Sequence, residues 1–372
     1  MSANKQRWVV KVGSAVLTEN GLSLSEAVVA RLASQLSHLR DNGVDVVLVS
    51  SGSIAAGLGA LGRTIRPQQL DELQAAAAVG QAALIQAYDS AFGKHGVTIA
   101  QVLLTHADIA NRERYLNARN TLRSLLTMDV LTVVNENDTV ATDEICFGDN
   151  DNLAALVTNL AEADRLILLT DQSGLYDSDP RSNSEAKLVS EAVAGDPELV
   201  SMASGGSSLG RGGMVTKLSA AQKASLSGAS TTIADGRVND ILIKLHQGEK
   251  LGTRLSPKQR VASRKQWVAG QMRREGTVVI DSGAVSVLVN QGRSLLPVGV
   301  VEVRGQFARG ALVACEDAQG REIARGLVNF GSDEARKLIG VRSDRIAEVL
   351  GYGGDHELIH RNNLILSSPD SA

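Results

Sequence analysis

The chain has 372 residues, of which 43% are hydrophobic and 21% charged, so it can bury two or three domain cores and does not have a disordered composition. Its formal net charge of −3 excludes a globally basic nucleic-acid binder. No stretch approaches the roughly 20 apolar residues that span a bilayer. The polar start of the chain runs directly into a strand, so we expect a soluble protein of the cytoplasm without a membrane segment.

Alternating strands and helices are predicted from residue 8 to about residue 234. Trp8–Val12 is the first strand, and Ser23 with Glu26 matches a capping box that would begin the first helix. Val44–Ser50 is a nearly continuous apolar run, as in parallel strands buried on both faces. Four further helix–strand pairs end in strands at 97–104, 130–135, 165–170 and 231–234. This alternation predicts an α/β fold, a three-layer sandwich with a mainly parallel central sheet.

The pattern changes after Gly252. Residues 254–274 include seven basic residues and no acidic one. Short β-branched segments separated by glycine-containing turns follow at 277–280, 286–289, 300–304, 311–315 and 322–328. We therefore predict a first domain at residues 1–256, a basic linker at 257–275, a small β-rich domain at 276–356 and a C-terminal tail at 357–372.

Polar residues gather where the predicted parallel strands end, which is where ligands bind in open α/β sheets. These ends read Lys11-Val12-Gly13-Ser14, Ser50-Ser51-Gly52-Ser53, Asn135-Glu136-Asn137-Asp138 and Thr170-Asp171. A glycine-rich loop at 205–213 leads into a helix that carries Lys217. Small residues at strand ends let backbone N–H groups approach an oxyanion closely, so the pattern predicts a site for a polyanion.

Two other motifs resemble different ligand sites. Residues 57–62 match the dinucleotide fingerprint GxGxxG, but the match lies several residues beyond its strand, so we interpret it as a flexible loop that enters a helix. Residues 149–152 look like the start of a calcium loop, but the required glycine and distal glutamate are missing. The P-loop sequence GxxxxGK[ST] does not occur.

Six motifs follow one another along the chain: VVKVGS, SSGS, VVNENDTVATDE, FGDNDNLAAL, LLTDQSGLYDSDPR and GRGGMVTK. In this order they resemble the glutamate 5-kinases of the amino acid kinase family, and the resemblance covers nearly the whole chain. The β-rich unit resembles a PUA domain. Arg211 departs from the family's glycine-rich loop, which usually has a small residue there. The resemblance implies transfer of the γ-phosphoryl group of ATP, with Mg²⁺, to the side-chain carboxylate of L-glutamate, the first step of proline biosynthesis.

The resemblance also implies roles for individual residues. Lys11 and Lys217 match two lysines that hold the migrating phosphoryl group, and Asp151 matches the acid that orients them. The glutamate-binding positions are Ser51, Asp138 and Asn150. The ATP-binding positions are Lys11, Gly13, Thr170, Asp171, Arg211, Gly212, Gly213, Met214, Val215, Thr216 and Lys217. No metal-binding side chain is implied, and no general base is required because a glutamate carboxyl, with a pKa of about 4.3, is already ionised at neutral pH.

Other functions share parts of this pattern. Kinases of aspartate, acetylglutamate or UMP have the same fold, but the paired NEND and FGDND motifs with a PUA-like unit favour glutamate. A different class is RNA binding or modification through the PUA-like domain. Residues 276–355 hold nine basic and ten acidic side chains, so the basic linker is the better RNA candidate unless it is only a solvated connector. The resemblance further implies a homo-oligomer (tetramer or dimer), inhibition by proline and contact with glutamate-5-semialdehyde dehydrogenase.

Overall fold

The computed structural model describes residues 5–19, 21–142, 145, 150–180, 182–204, 213–257, 274–353 and 355–367. The chain divides into two compact units, one comprising residues 1–109 and 118–260 and the other residues 110–117 and 261–372. Each unit has a sheet of its own, so each can bury its own core.

An eight-stranded sheet forms the centre of the first unit. Among the described residues before 258, the strands are β1 Arg7–Val12, β2 Thr18–Glu19, β3 Ser23–Leu24, β4 Asp45–Ser50, β5 Ile99–Leu104, β6 Leu131–Glu136, β7 Arg165–Thr170, β8 Glu191–Val193, β9 Ser230–Asp235 and β10 Thr253–Ser256. The sheet order is β5-β6-β4-β1-β7-β9-β10-β8, while β2 and β3 form a separate ribbon. Every neighbouring pair in the large sheet is parallel except β9 and β10. The predicted, mainly parallel α/β sheet is therefore confirmed.

Helices cover both faces of this sheet. Before residue 257 the described helices are α1 Ser14–Leu17, α2 Glu26–Asp41, α3 Ser53–Ala60, α4 Leu70–Gly93, α5 His106–Ala110, α6 Arg112–Thr127, α7 Asn150–Leu160, α8 Pro197–Ser204, α9 Met214–Ser225 and α10 Ile241–His246. Trp8, Val10 and Val12 of β1 belong to a buried cluster with side chains of α2, α4 and α10. Successive side chains of a strand point to opposite faces, so Lys11 points to the other face, which α7 covers. In the part of the chain that the structure describes, no helix is long and apolar enough to cross a membrane.

The predicted start of the first long helix is wrong. Ser23 does not cap a helix, because it lies in β3 and pairs with β2 in an antiparallel ribbon. Helix α2 begins at Glu26, directly after Ser25. Ser23 and Leu24 pair with β2, so the helix starts only after Ser25, whose carbonyl oxygen accepts the first helical bond from the Val29 amide at 3.1 Å.

The GxGxxG sequence is not a loop either. Gly57 and Gly59 lie inside α3. A Cβ atom at Gly57 would lie 1.8 Å from the carbonyl oxygen of Ala76, and one at Gly80 would lie 1.8 Å from the carbonyl oxygen of Ser53. These glycines therefore let the backbones of α3 and α4 come into contact, and they do not form a phosphate-binding turn.

The second unit contains a five-stranded sheet of order β12-β11-β13-β14-β15. Its strands are β11 Gly276–Ile280, β12 Val300–Gly305, β13 Leu312–Glu316, β14 Glu322–Leu327 and β15 Leu364–Leu366. Its helices are α11 Ser282–Gln291, α12 Ser332–Lys337 and α13 Ile346–Leu350, with short 3₁₀ segments at Pro297–Gly299, Ser343–Arg345 and Arg361–Asn363. The expected separate β-rich unit is present.

Two predictions within this unit are wrong. Residues 286–289, predicted as a strand, lie in α11, which begins where Asp281 Oδ1 accepts a hydrogen bond of 2.7 Å from the Ala284 amide. This cap favours a helix over the β-branched preference of the residues that follow. The segment predicted as a tail after residue 356 contributes β15, which pairs with β14. Most of the predicted basic linker, residues 258–273, lies outside the described residues.

Candidate functional site

Three charged residues from distant parts of the chain meet beyond the sheet. Lys11 lies near the carboxyl end of β1, and Asp151 and Lys217 lie in the first turns of α7 and α9. Asp151 Oδ1 accepts a hydrogen bond of 2.6 Å from Lys11 Nζ, and Asp151 Oδ2 accepts one of 3.0 Å from Lys217 Nζ. Their exposed fractions are 5%, 0% and 7% for Lys11, Asp151 and Lys217. The structure thus brings together all three residues predicted to act on the phosphoryl group.

In this cluster, burial and the neighbouring opposite charges shift pKa values in opposite directions. Burial alone would raise the pKa of Asp151, but the ammonium groups of Lys11 and Lys217 outweigh it and hold that pKa below its usual range. Burial lowers the pKa of Lys217; the nearby Asp151 carboxylate opposes this shift, and the Lys11 ammonium adds to it. With both lysines protonated, two positive charges share one carboxylate. The Asp171 carboxylate is a further negative charge that favours the charged form of Lys217.

Two neighbours of the cluster shape its surroundings. The Thr216 hydroxyl oxygen lies 3.0 Å from Asp151 Oδ2 and 2.7 Å from the Gly213 carbonyl oxygen. A Cβ atom built on Gly13 would lie 3.8 Å from Lys11 Nζ, and the φ of −73° at Gly13 is open to any residue. Backbone conformation therefore does not require glycine at this position. Its missing side chain instead leaves space beside the Lys11 ammonium group.

The other predicted nucleotide residues lie around this cluster. Thr170 ends β7, and Asp171, which follows it, is among the charges that act on Lys217. Gly213 precedes α9, and its first turn carries the remaining described positions, Met214, Val215, Thr216 and Lys217. Arg211 and Gly212 lie outside the described residues. Arg237, which the sequence analysis did not single out, donates a hydrogen bond of 2.5 Å to the carbonyl oxygen of Asp171. This bond stabilises the backbone directly after β7.

The three predicted glutamate-binding residues lie beside the lysine cluster. Asn150 Nδ2 donates hydrogen bonds to Ser51 Oγ at 2.9 Å and to Asn135 Oδ1 at 3.0 Å. Asp138 Oδ2 accepts a bond of 2.9 Å from Ser53 Oγ. Ser51, Asp138 and Asn150 are all buried. Because Asn150 immediately precedes Asp151, the peptide bond itself joins the two groups of residues.

A glycine turn positions the serines of this group. Gly52 has a φ of +102°, a left-handed conformation that L side chains rarely adopt. It lies between Ser51, which directly follows β4, and Ser53, the first residue of α3. The turn lets Ser51 reach Asn150 while Ser53 reaches Asp138.

The sequence analysis assigned no role to three residues of this network, Ser53, Asn135 and Gln81. Asn135 Nδ2 donates a hydrogen bond of 2.8 Å to Gln81 Oε1. Ser53 and Asn135 belong to the SSGS and NEND motifs, so their place at strand ends was the available signal. Gln81 lies within the alanine-rich helix α4 and belongs to none of the six motifs.

The calcium-loop pattern leads to no metal site in the described residues. Asn150 directs its side chain to Ser51 and Asp151 directs its carboxylate to the two lysines, while residue 149 lies outside the described part of the chain. Within that part, no three His, Cys, Asp or Glu side chains gather so that they could hold a metal ion.

Comparison with known proteins identifies the family of the chain. The model of the amino acid kinase family matches residues 6–235, and that of the PUA domain matches residues 276–350. A glutamate 5-kinase of Thioalkalivibrio sulfidiphilus (strain HL-EbGR7) is 56% identical over 363 residues, which cover 97% of each chain. A glutamate 5-kinase of Hahella chejuensis (strain KCTC 2396) is also 56% identical, over 97% of this chain and 94% of that protein. One from Cupriavidus metallidurans is 56% identical over 98% of each. The chain therefore contains a PUA domain and belongs to the amino acid kinase family, in which it groups with the glutamate 5-kinases.

Proposed function

We propose that the protein transfers the γ-phosphoryl group of ATP to the side-chain carboxylate of L-glutamate, giving L-glutamyl 5-phosphate and ADP. This reaction is the first step of proline biosynthesis from glutamate. The observation that carries the proposal is the buried cluster in which Asp151 holds the ammonium groups of Lys11 and Lys217, directly beside Ser51 and Asn150. The name shared by relatives 56% identical over almost the whole chain supports glutamate as the acceptor.

The chemistry of the reaction explains this arrangement. A glutamate side chain, with a pKa of about 4.3, is already an anion at neutral pH and needs no base to become a nucleophile. The difficulty is to bring that anion to a phosphoryl group that is also negative. Catalysis then depends on positioning and on preorganised positive charge. Lys11 and Lys217 would supply this charge, and Asp151 holds their ammonium groups in place before the substrates bind.

The surrounding residues divide between the two substrates. The Asp138 carboxylate suits the α-ammonium group of glutamate, while Ser51 and Asn150 suit its carboxylate oxygens. Thr170, Asp171 and the segment around the start of α9 would bind ATP. Mg²⁺ would neutralise charge on the ATP phosphates. This ion commonly binds substrate phosphates with only one or two protein carboxylates.

Regulation and partners form a further part of the proposal. Proline has the α-ammonium and carboxylate groups of glutamate but no side-chain carboxylate, so it would occupy Ser51, Asp138 and Asn150 without being phosphorylated. We also propose a cytoplasmic tetramer or dimer that contacts glutamate-5-semialdehyde dehydrogenase. RNA binding is the alternative role for the PUA domain, but the nine basic and ten acidic side chains of residues 276–355 argue against a strong phosphate-binding surface.

The test is ADP release measured with and without L-glutamate, combined with hydroxylamine trapping of the acyl phosphate. We expect ADP release to depend on glutamate and the trapped product to be a hydroxamate. Aspartate, acetylglutamate and UMP serve as control acceptors. The proposal would be overturned if ADP release did not depend on glutamate or were faster with one of the control acceptors. Retention of RNA by an inactive protein would favour the alternative role.

A further inference from the structure

Helix α4 directs a stripe of three polar side chains at the proposed glutamate site. Gln74, Gln81 and Tyr88 are spaced seven residues apart, which places them on one face of the helix. Gln74 Nε2 donates a hydrogen bond of 3.0 Å to the carbonyl oxygen of Asp138. Gln81 Oε1 accepts one of 2.8 Å from Asn135 Nδ2. The Tyr88 hydroxyl lies 2.9 Å from Ser50 Oγ. One helix therefore contacts the ends of two strands and the loop that carries Asp138.

The backbone of α4 packs directly against the backbone of α3 beside Gln81. The preceding residue, Gly80, packs so tightly that an added Cβ would lie 1.8 Å from the Ser53 carbonyl oxygen and 2.3 Å from the Gly57 nitrogen. Ser53 is itself hydrogen-bonded to Asp138. The close contact and the polar stripe therefore connect α4 to the same group of residues.

Gln81 belongs to a chain of hydrogen-bonded amides that leads to Ser51. Its Oε1 accepts a bond from Asn135 Nδ2, so Asn135 must turn its own oxygen, Oδ1, toward Asn150. Asn150 then directs Nδ2 to both Asn135 and Ser51. If the Gln81 amide were flipped, its Nε2 would face Asn135 Nδ2, and both groups are donors. Gln81 Nε2 is buried and has no hydrogen-bond acceptor among the described residues, so the bond through Oε1 to Asn135 is the contact that defines its orientation.

We propose that Gln81 is a positioning residue for the acceptor substrate. It acts through Asn135 on the orientation of the Asn150 amide and so on the affinity for glutamate, without contacting the substrate. This inference rests on the proposed function. The lysine cluster does not depend on the Gln81 bond, so losing that bond should weaken glutamate binding equally in the ground state and the transition state.

The first test replaces Gln81 with Met, which has a similar length but cannot accept the hydrogen bond. KM for glutamate should rise about threefold to tenfold, as for the loss of one neutral hydrogen bond, while kcat and KM for ATP change less than about twofold. Gln86→Met is the matched control, because Gln86 is exposed on the same helix. Gln81→Asn, which keeps an amide but is one methylene too short, should behave like Gln81→Met and serves if the Met variant does not fold.

A double-mutant cycle separates positioning from a general structural role. If Gln81 acts through Asn135, Gln81→Met should have no additional effect on KM for glutamate in an Asn135→Ala background. Independent, multiplying effects of the two substitutions would overturn the inference, and so would an unchanged KM in both Gln81 variants. These results are distinct from failure of the proposed function, in which the unaltered protein itself would show no glutamate-dependent ADP release.

Discussion

Replacement of Asp151 by Asn tests whether this carboxylate holds the two lysines in their charged form. The substitution keeps the size and shape of the side chain but removes its charge. Both lysines lose the Asp151 carboxylate, whose oxygens lie 2.6 Å from Lys11 Nζ and 3.0 Å from Lys217 Nζ. The Asn amide oxygen can accept a hydrogen bond from one lysine. Its NH₂ group is a donor, so it cannot accept a hydrogen bond from the other ammonium group.

The size of the effect follows from burial. Removing one partner of a buried ion pair costs about 3–5 kcal/mol of stability when the remaining charge stays in place. Asp151 is 0% exposed and both lysines are nearly buried, so little solvent screening reduces this cost. The protein can avoid part of it by releasing a proton. The pKa of Lys217, which burial already lowers, should then fall further in the variant.

Opposite pH dependences of activity and stability are therefore expected for Asp151→Asn. A lysine with a lowered pKa is neutral above that pKa and charged below it, so kcat of the variant should rise as the pH falls from the ordinary lysine pKa through this lowered value. The unfolded lysine keeps its ordinary pKa and binds more protons in this range, so the free energy of unfolding should increase with pH. We expect kcat at neutral pH to be at least about 10²-fold below that of the unaltered protein.

The assay is ADP release at saturating ATP and glutamate across this pH range, with urea unfolding at the same pH values. Asp89→Asn, the same substitution at an exposed position of α4, is the control and should leave both quantities unchanged. A variant with nearly normal kcat, or with parallel pH dependences of kcat and stability, would refute the role of the Asp151 carboxylate in keeping the lysines charged.

The remaining predictions address individual contacts. Lys11→Ala and Lys217→Ala should each lower kcat by about 10²-fold or more, and losses under about threefold in both would refute their assignment. Asp138→Ala should raise KM for glutamate far more than KM for ATP; an equal rise would remove Asp138 from the glutamate site. Inhibition by proline should weaken as glutamate increases, and activity unaffected by millimolar proline would contradict a shared site. Tyr88→Phe should lower the free energy of unfolding by about 1 kcal/mol. The Ser50 hydroxyl uses its proton on the Ser51 carbonyl oxygen, so in the bond between Ser50 and Tyr88 the Tyr88 hydroxyl is the donor, and Phe removes it. Unchanged urea unfolding would contradict this.

Much of the first unit could be predicted from local patterns. The apolar run at Val44–Ser50 corresponds to β4, because a strand buried on both faces of a parallel sheet needs apolar residues throughout its length. Residues at strand ends, such as Lys11 and Asp138, could also be identified, since in such sheets the carboxyl ends of the strands meet at one edge. The six motifs then supplied the family and the candidate residues.

Local patterns failed where a distant partner determines the conformation. Ser23 is extended because it pairs with β2, and β15 exists because it pairs with β14. Neither partner can be identified from the few residues around the strand. Gly57 had the spacing of a phosphate-binding turn, but the space it provides is occupied by the backbone of α4.

The charge state of the site and the orientation of its amides depend on the tertiary structure alone. Lys11 and Asp151 are 140 residues apart in the sequence, and Asp151 and Lys217 are 66 residues apart. The pKa shifts of Asp151 and Lys217 arise from burial and from distances that exist only after the sheet has formed. Gln81 has no distinctive neighbours in the sequence, and its proposed role follows from a single hydrogen bond across 54 residues to Asn135. A sequence determines which side chains are available, whereas desolvation and hydrogen-bond direction are set by what packs against them.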